Sequence, residues 1–180
     1  MNKNIVKIEL TKYEMELACY VAMRRQIDAE FAGRTDRVNR KSFTEGLQSH
    51  VLGCFGELSV ARVLGTYWSG SNNTFHSMSD LHDRIEVRHR SNHDWDLIVR
   101  EEDSPDSLYV LSTGNGNCIF VHGGILGKDA KMDRFSRNYG NKRPAFFVPS
   151  DELTISPREI ISHCNSGSDR SSREDSRSEE

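Results

Sequence analysis

Apolar residues fall at helical spacing near the start of the chain: Tyr13, Leu17 and Val21, then Ile27 and Phe31. They follow Thr11-x-x-Glu14, a pairing in which the threonine side chain and a glutamate three positions on cap each other's free backbone N–H groups. A helix over 12–32 is predicted, ended by Gly33 and with that stripe turned to the core. A second capping box, Ser42-x-x-Glu45, opens a helix predicted to run to about Leu64, with Gly65 as its C-terminal cap. After residue 70 the pattern changes to short runs of Val, Ile, Leu and aromatic residues between turn residues. These runs predict strands near 84–90, 96–100, 108–113, 118–125 and 145–148. Asn115-Gly116 marks a hairpin turn, and 128–140 suits a short helix. The fold class expected is α+β, with two N-terminal helices packed on a central mixed, mostly antiparallel sheet.

Length changes this picture little: 180 residues suffice for one domain with a core, not for two ordinary ones. Residues 1–41 read as an N-terminal helix and basic linker, 42–164 as the core, and 165–180 as a polar tail. That tail has no apolar residue to offset the entropy of ordering, so disorder is expected there. The four cysteines form no Cys-x-x-Cys pair, which disfavours a zinc ribbon and suits reduced thiols. Neither a signal-like nor a spanning apolar run is present, so a cytoplasmic protein with no membrane partner is expected.

A net charge of -3 gives no global pull toward nucleic acid, so any such contact needs a local patch. Residues 128–143 offer one, with Lys128, Lys131, Arg134, Arg137, Lys142 and Arg143 against Asp129 and Asp133. With Arg34, Arg37, Arg40 and Lys41 they could hold phosphates, and Phe135 and Tyr139 could stack on a base. A solvated charged face is the alternative reading.

The candidate chemistry lies in DLHDRIEVRHR, residues 80–90. In one straight strand Asp80 and Glu86 would stand about 20 Å apart. A reversal around residues 82–84 would instead set Leu81 against Ile85 and Asp80 against Glu86. Alternation then places Ile85, Val87 and His89 on one face and Glu86, Arg88 and Arg90 on the other. Opposed carboxylates call for a cation between them, and hard oxygen donors suit magnesium or manganese. A surface hairpin neutralised by Arg84 or Arg88 is the alternative. In the second helix Gly46, Gly53 and Gly56 share a stripe with His50 and Glu57, as if to let the helix approach the carboxylate face closely.

Gly56-Glu57, Asp80 and Glu86-Val87-Arg88 resemble, in their order, the PD-(D/E)XK nuclease superfamily, which sets a helical Gly-Glu against a hairpin with Asp and Glu-x-Lys. Between about residues 43 and 153 the chain also resembles small proteins of bacteriophages and other mobile DNA. The resemblance implies a restriction-endonuclease-like fold and metal-dependent hydrolysis of DNA in a bacterial host's cytoplasm. It further implies Asp80, Glu86 and the Val87 carbonyl as ligands of Mg2+ or Mn2+, with Glu57 a ligand directly or through water. Two positions depart from the family pattern: Ser79 replaces a proline, and Arg88 replaces the lysine. Arginine stays charged and cannot act as a base, although it can hold phosphate. Proton transfer then falls to water activated by the metal or to a histidine such as His89 or His93. The alternative is a nuclease-like protein that binds nucleic acid or a host protein without cleaving. A zinc site from His82, His89, His93 and Asp94 or Asp96 is a weaker competitor, because no cysteine pair accompanies it.

Overall fold

The computed structural model describes residues 5–33, 42–71, 79–81, 84–137 and 144–160. The chain opens with β1 (Val6–Glu9), then α1 (Lys12–Phe31) and α2 (Phe43–Leu64). There follow β2 (Ile85–Arg90), β3 (Leu97–Arg100), β4 (Leu108–Asn115), β5 (Cys118–Leu126), the single turn α3 (Gly127–Ala130), β6 (Ser136–Arg137) and β7 (Ala145–Val148). The fold class is α+β. Both capping boxes form: Thr11 and Ser42 accept from the N–H groups of Glu14 and Glu45, and each glutamate reaches back to its cap. Gly65 ends α2 in the left-handed region at φ 63°, where a Cβ would be strained.

The five predicted strands are present within two residues of their expected ends. β1 is not among them, since an alternating VKIE segment hardly stands out from its polar surroundings. The helix expected over 128–140 is instead α3, a 3-10 turn at Asp133–Phe135 and β6. The basic linker and the tail from 165 lie outside the described residues.

Among the described residues two sheets form rather than one, in strand orders β1-β5-β4-β2 and β3-β7-β6. Among the described strands only β2 and β4 pair in parallel; the other pairings are antiparallel. The reason lies in β4, where consecutive apolar residues are buried on both faces and need cover on both. Val110 joins the core beneath the helices with Ala18, Phe55, Val60, Ile85 and Val87. Tyr109 and Leu111 join a second core with Leu97, Val99, Phe146 and Val148. Helices, first sheet and second sheet are thus stacked in layers, with β2 at an edge of the first sheet.

The predicted core stripe of α1 departs most from expectation. Val21 is buried, but Tyr13, Leu17, Ile27 and Phe31 are exposed, and Ala18, Ala22 and Gln26 point inward. Close packing on α2 explains the choice: a Cβ added at Gly46 would come within 2.4 Å of Gln26 Oε1, so small residues belong there. Among the described residues no helix is long and apolar enough to cross a membrane, and Cys19, Cys54 and Cys118 are free thiols.

Candidate active site

The predicted reversal is formed. Leu81 and Ile85 exchange both backbone hydrogen bonds at 3.1 Å, which sets Asp80 beside the start of β2. The next rung is closed by a side chain, because Val87 N–H donates to Asp80 Oδ2 at 2.9 Å. The turn residues His82 and Asp83 lie outside the described residues.

Pleating turns Ile85 and Val87 into the core beneath the helices and Glu86 and Arg88 to the opposite face. There Arg88 donates from Nη2 to Asp103 Oδ2 at 3.0 Å, and its Nη1 lies 3.5 Å from Glu86 Oε2. The guanidinium also lies over the Tyr109 ring, 5.1 Å from its centroid. Asp103 accepts from Arg100 N–H at 2.8 Å, and Lys131 Nζ fastens the same turn by donating to Glu101 O at 2.7 Å.

Helix α2 meets β2 on the other face. A Cβ at Gly56 would fall 2.6 Å from Ser112 Oγ and 2.8 Å from His89 Cβ, so this glycine is the point of close approach. Gly46 faces α1 instead, and nothing lies within 4 Å of a Cβ at Gly53. The expectation that the glycine stripe would press α2 on the carboxylate face is therefore corrected. The helix covers the apolar face, where burial of Ile85 and Val87 favours it.

Glu57 is held from two sides. Arg25 donates from Nη1 to Oε1 at 2.6 Å and from Nη2 to Oε2 at 2.9 Å, and Trp68 Nε1 donates to Oε2 at 3.0 Å. Arg25 in turn reaches Ser71 O at 2.8 Å from Nη2. Charges this deep are retained only when paired and hydrogen-bonded, and here they are.

The three acids nevertheless act on one another. Burial, then Glu57 and Glu86, push the Asp80 carboxyl up to about 7, against the opposing pull of Val87 N–H and Arg88. Burial likewise raises Glu86, offset in part by Arg88 and by a hydrogen bond with Ser79. Burial works to lower the Arg88 guanidinium, but Asp103 and Glu86 hold it above its ordinary value. Among the described groups in this network, the carboxylates of Glu57, Asp80, Glu86 and Asp103 face the guanidiniums of Arg25 and Arg88. Two negative charges stay uncompensated when all six are ionised.

Among the described residues no three His, Cys, Asp or Glu side chains are gathered closely enough to hold a metal ion. By donor chemistry and by the surplus charge, Asp80 and Glu86 fit a hard divalent cation. Glu57, with both oxygens engaged, fits a cation there only through water. His89 lies on the helix side, its Nδ1 3.0 Å from Ser112 Oγ and its Nε2 3.1 Å from Gly114 O. Burial lowers it to about 4, so it is a neutral imidazole on the face away from Glu86 and Arg88. His93 Nδ1 is 2.7 Å from Thr113 Oγ1.

Of the basic residues singled out, Lys128 is exposed on α3. Lys131 is tied to the 101–103 turn, Arg134 pairs with Glu152 at 3.2 Å, and Arg137 pairs with Asp96 at 3.1 Å. Arg40, Lys41, Lys142 and Arg143 lie outside the described residues. Arg25, Trp68, Asp103 and Tyr109 belong to the site although sequence reasoning passed them over. Each reaches it through contacts distant in sequence, for which no motif or period gives a signal. Comparison with known protein families, curated proteins and solved structures finds no match.

Proposed function

We propose that this protein is a nuclease of the PD-(D/E)XK type, on a restriction-endonuclease-like core, which hydrolyses phosphodiester bonds of DNA with Mg2+ or Mn2+. The observation that carries the reading is that Asp80, set at the start of β2 by the Leu81–Ile85 bridge, feels the charges of Glu57 and Glu86 in a network where four carboxylates face two guanidiniums. Asp80 and Glu86 hold the ion with the Val87 carbonyl, and Glu57 supports it through water. When bound, such an ion polarises a phosphoryl oxygen and lowers the pKa of an attacking water. Arg88 takes no proton. Fixed by Asp103, Glu86 and the Tyr109 ring, it presents permanent positive charge to a phosphate. Lys128, Lys131, Arg134, Arg137, Arg40 and Lys41 supply contacts to the DNA backbone that do not depend on base sequence. The mobile-DNA resemblance supports a setting in the cytoplasm of a bacterial host.

One observation favours a second reading. Glu57 and Arg88 are already committed to protein partners, as suits a nuclease-like protein that binds nucleic acid or a host protein without cleavage. Incubating the protein with single- and double-stranded DNA and RNA, with Mg2+ or Mn2+, beside an Asp80→Asn control separates the two. The nuclease reading expects metal-dependent cleavage by the native protein alone. Cleavage by both proteins reports a contaminant and, like binding without cleavage, counts against it.

A further inference from the structure

The outward face of α1 has an order that neither the core nor the acidic site uses. Tyr13, Leu17, Tyr20, Arg24, Ile27 and Phe31 follow one another at intervals of four, three, four, three and four. This is the 3.5-residue repeat by which one helix winds around another. All six are exposed, Tyr13 at 72%, Tyr20 at 63% and Phe31 at 89%, whereas the inward face carries Ala18, Val21 and Ala22. α1 therefore turns its small residues in and its large ones out, the reverse of an ordinary amphipathic helix.

We propose that this face is a self-association surface, on which α1 of a second copy of the chain packs antiparallel about an axis level with Ala22. Three features of the face select this occupant. In an antiparallel pair Tyr13 meets Phe31, Leu17 meets Ile27, and Tyr20 meets Arg24, each contact made twice. These are the mixed layers that antiparallel coiled helices form. Arg24, the one charged member of the seam, then lies on a tyrosine ring of the other copy, a favourable cation–aromatic contact. A parallel pair would instead oppose Arg24 to itself, so the residue that interrupts the apolar seam also sets its direction. The five apolar side chains expose roughly 600 Å2, close to the roughly 800 Å2 per partner of a standard interface and at the upper end of the patches that monomers leave open.

Sedimentation velocity on the full chain over a concentration series tests the inference. The native chain is expected to pass from monomer to dimer as concentration rises, and a monomer throughout the series overturns the proposal. Leu17→Glu with Ile27→Glu, both exposed and so compatible with folding, is expected to weaken the dimer by roughly 30-fold or more, with an unchanged circular dichroism spectrum. A dimer indifferent to that pair overturns the assignment to α1. Direction is read separately: Arg24→Glu is expected to weaken association about tenfold. Adding Tyr20→Lys is expected to restore it, because the antiparallel pairing sets the two new, opposite charges against each other across the seam. Failure of the double variant to recover overturns the antiparallel pairing.

Discussion

Asp80 is held where its charge is least welcome. Its folded-state pKa, raised from 3.8 to about 7, means that the folded chain binds more protons than the unfolded one between those values. The stability linked to Asp80 is therefore greatest at the acid end and is lost as pH rises through about 7, and the raised Glu86 carboxyl contributes in the same direction. His89, lowered from 6.5 to about 4, acts oppositely: its contribution is present above 6.5 and lost as pH falls toward 4. Asparagine at position 80 keeps an oxygen for Val87 N–H and removes the charge. Asp80→Asn is accordingly expected to melt at a higher temperature than the native chain at about pH 8, with the gap narrowing below about pH 7 and closing only toward about pH 4. Thermal unfolding across that range checks this, and a variant no more stable at about pH 8 would show that burial and the neighbouring acids do not disfavour the Asp80 charge. Glu57 carries a second expectation. Arg25→Ala strands a buried carboxylate and should cost about 3 kcal/mol in urea denaturation, whereas removing an exposed partner such as Lys12 should cost a few tenths at most.

At the scale of elements, α2 gives opposite outcomes for two glycines only three positions apart. Alanine at Gly56 drives a methyl group into Ser112 and His89, and overpacking of this kind costs about 2 kcal/mol or more. Alanine at Gly53 meets nothing within 4 Å and gains the helix preference of alanine, a stabilisation of up to about 1 kcal/mol. Chemical denaturation of the two variants gives the comparison, and equal effects would mean that α2 does not rest on the sheet through Gly56. The hairpin was legible in the sequence because its register is local, with residues symmetric about position 83 alternating apolar and acidic. The orientation of α1 was not, because the helix is apolar on two faces and periodicity does not say which one faces the core. Packing on α2 decides it, through the close contact of Gly46 with Gln26.

At the scale of the whole molecule, the helices followed by strands were legible, and the division into two sheets was not. LYVL in β4 reads as one buried strand, yet which strands cover its two faces depends on pairings between distant residues, such as β3 with β7. The acidic site divides in the same way. Asp80, Glu86 and Arg88 stand a few residues apart and were found together, while Arg25 and Asp103 join them from α1 and from the turn after β3 by pairing with Glu57 and Arg88. Charge balance is also where the functional account is most exposed. Titration of the native chain with Mn2+, followed by the loss of the free-ion paramagnetic resonance signal, measures directly whether the surplus negative charge at the hairpin takes up a divalent cation. The account predicts one ion per chain, displaced by excess Mg2+ and lost in Asp80→Asn; a native chain that leaves the signal undiminished, or an asparagine variant that binds as the native chain does, would contradict it.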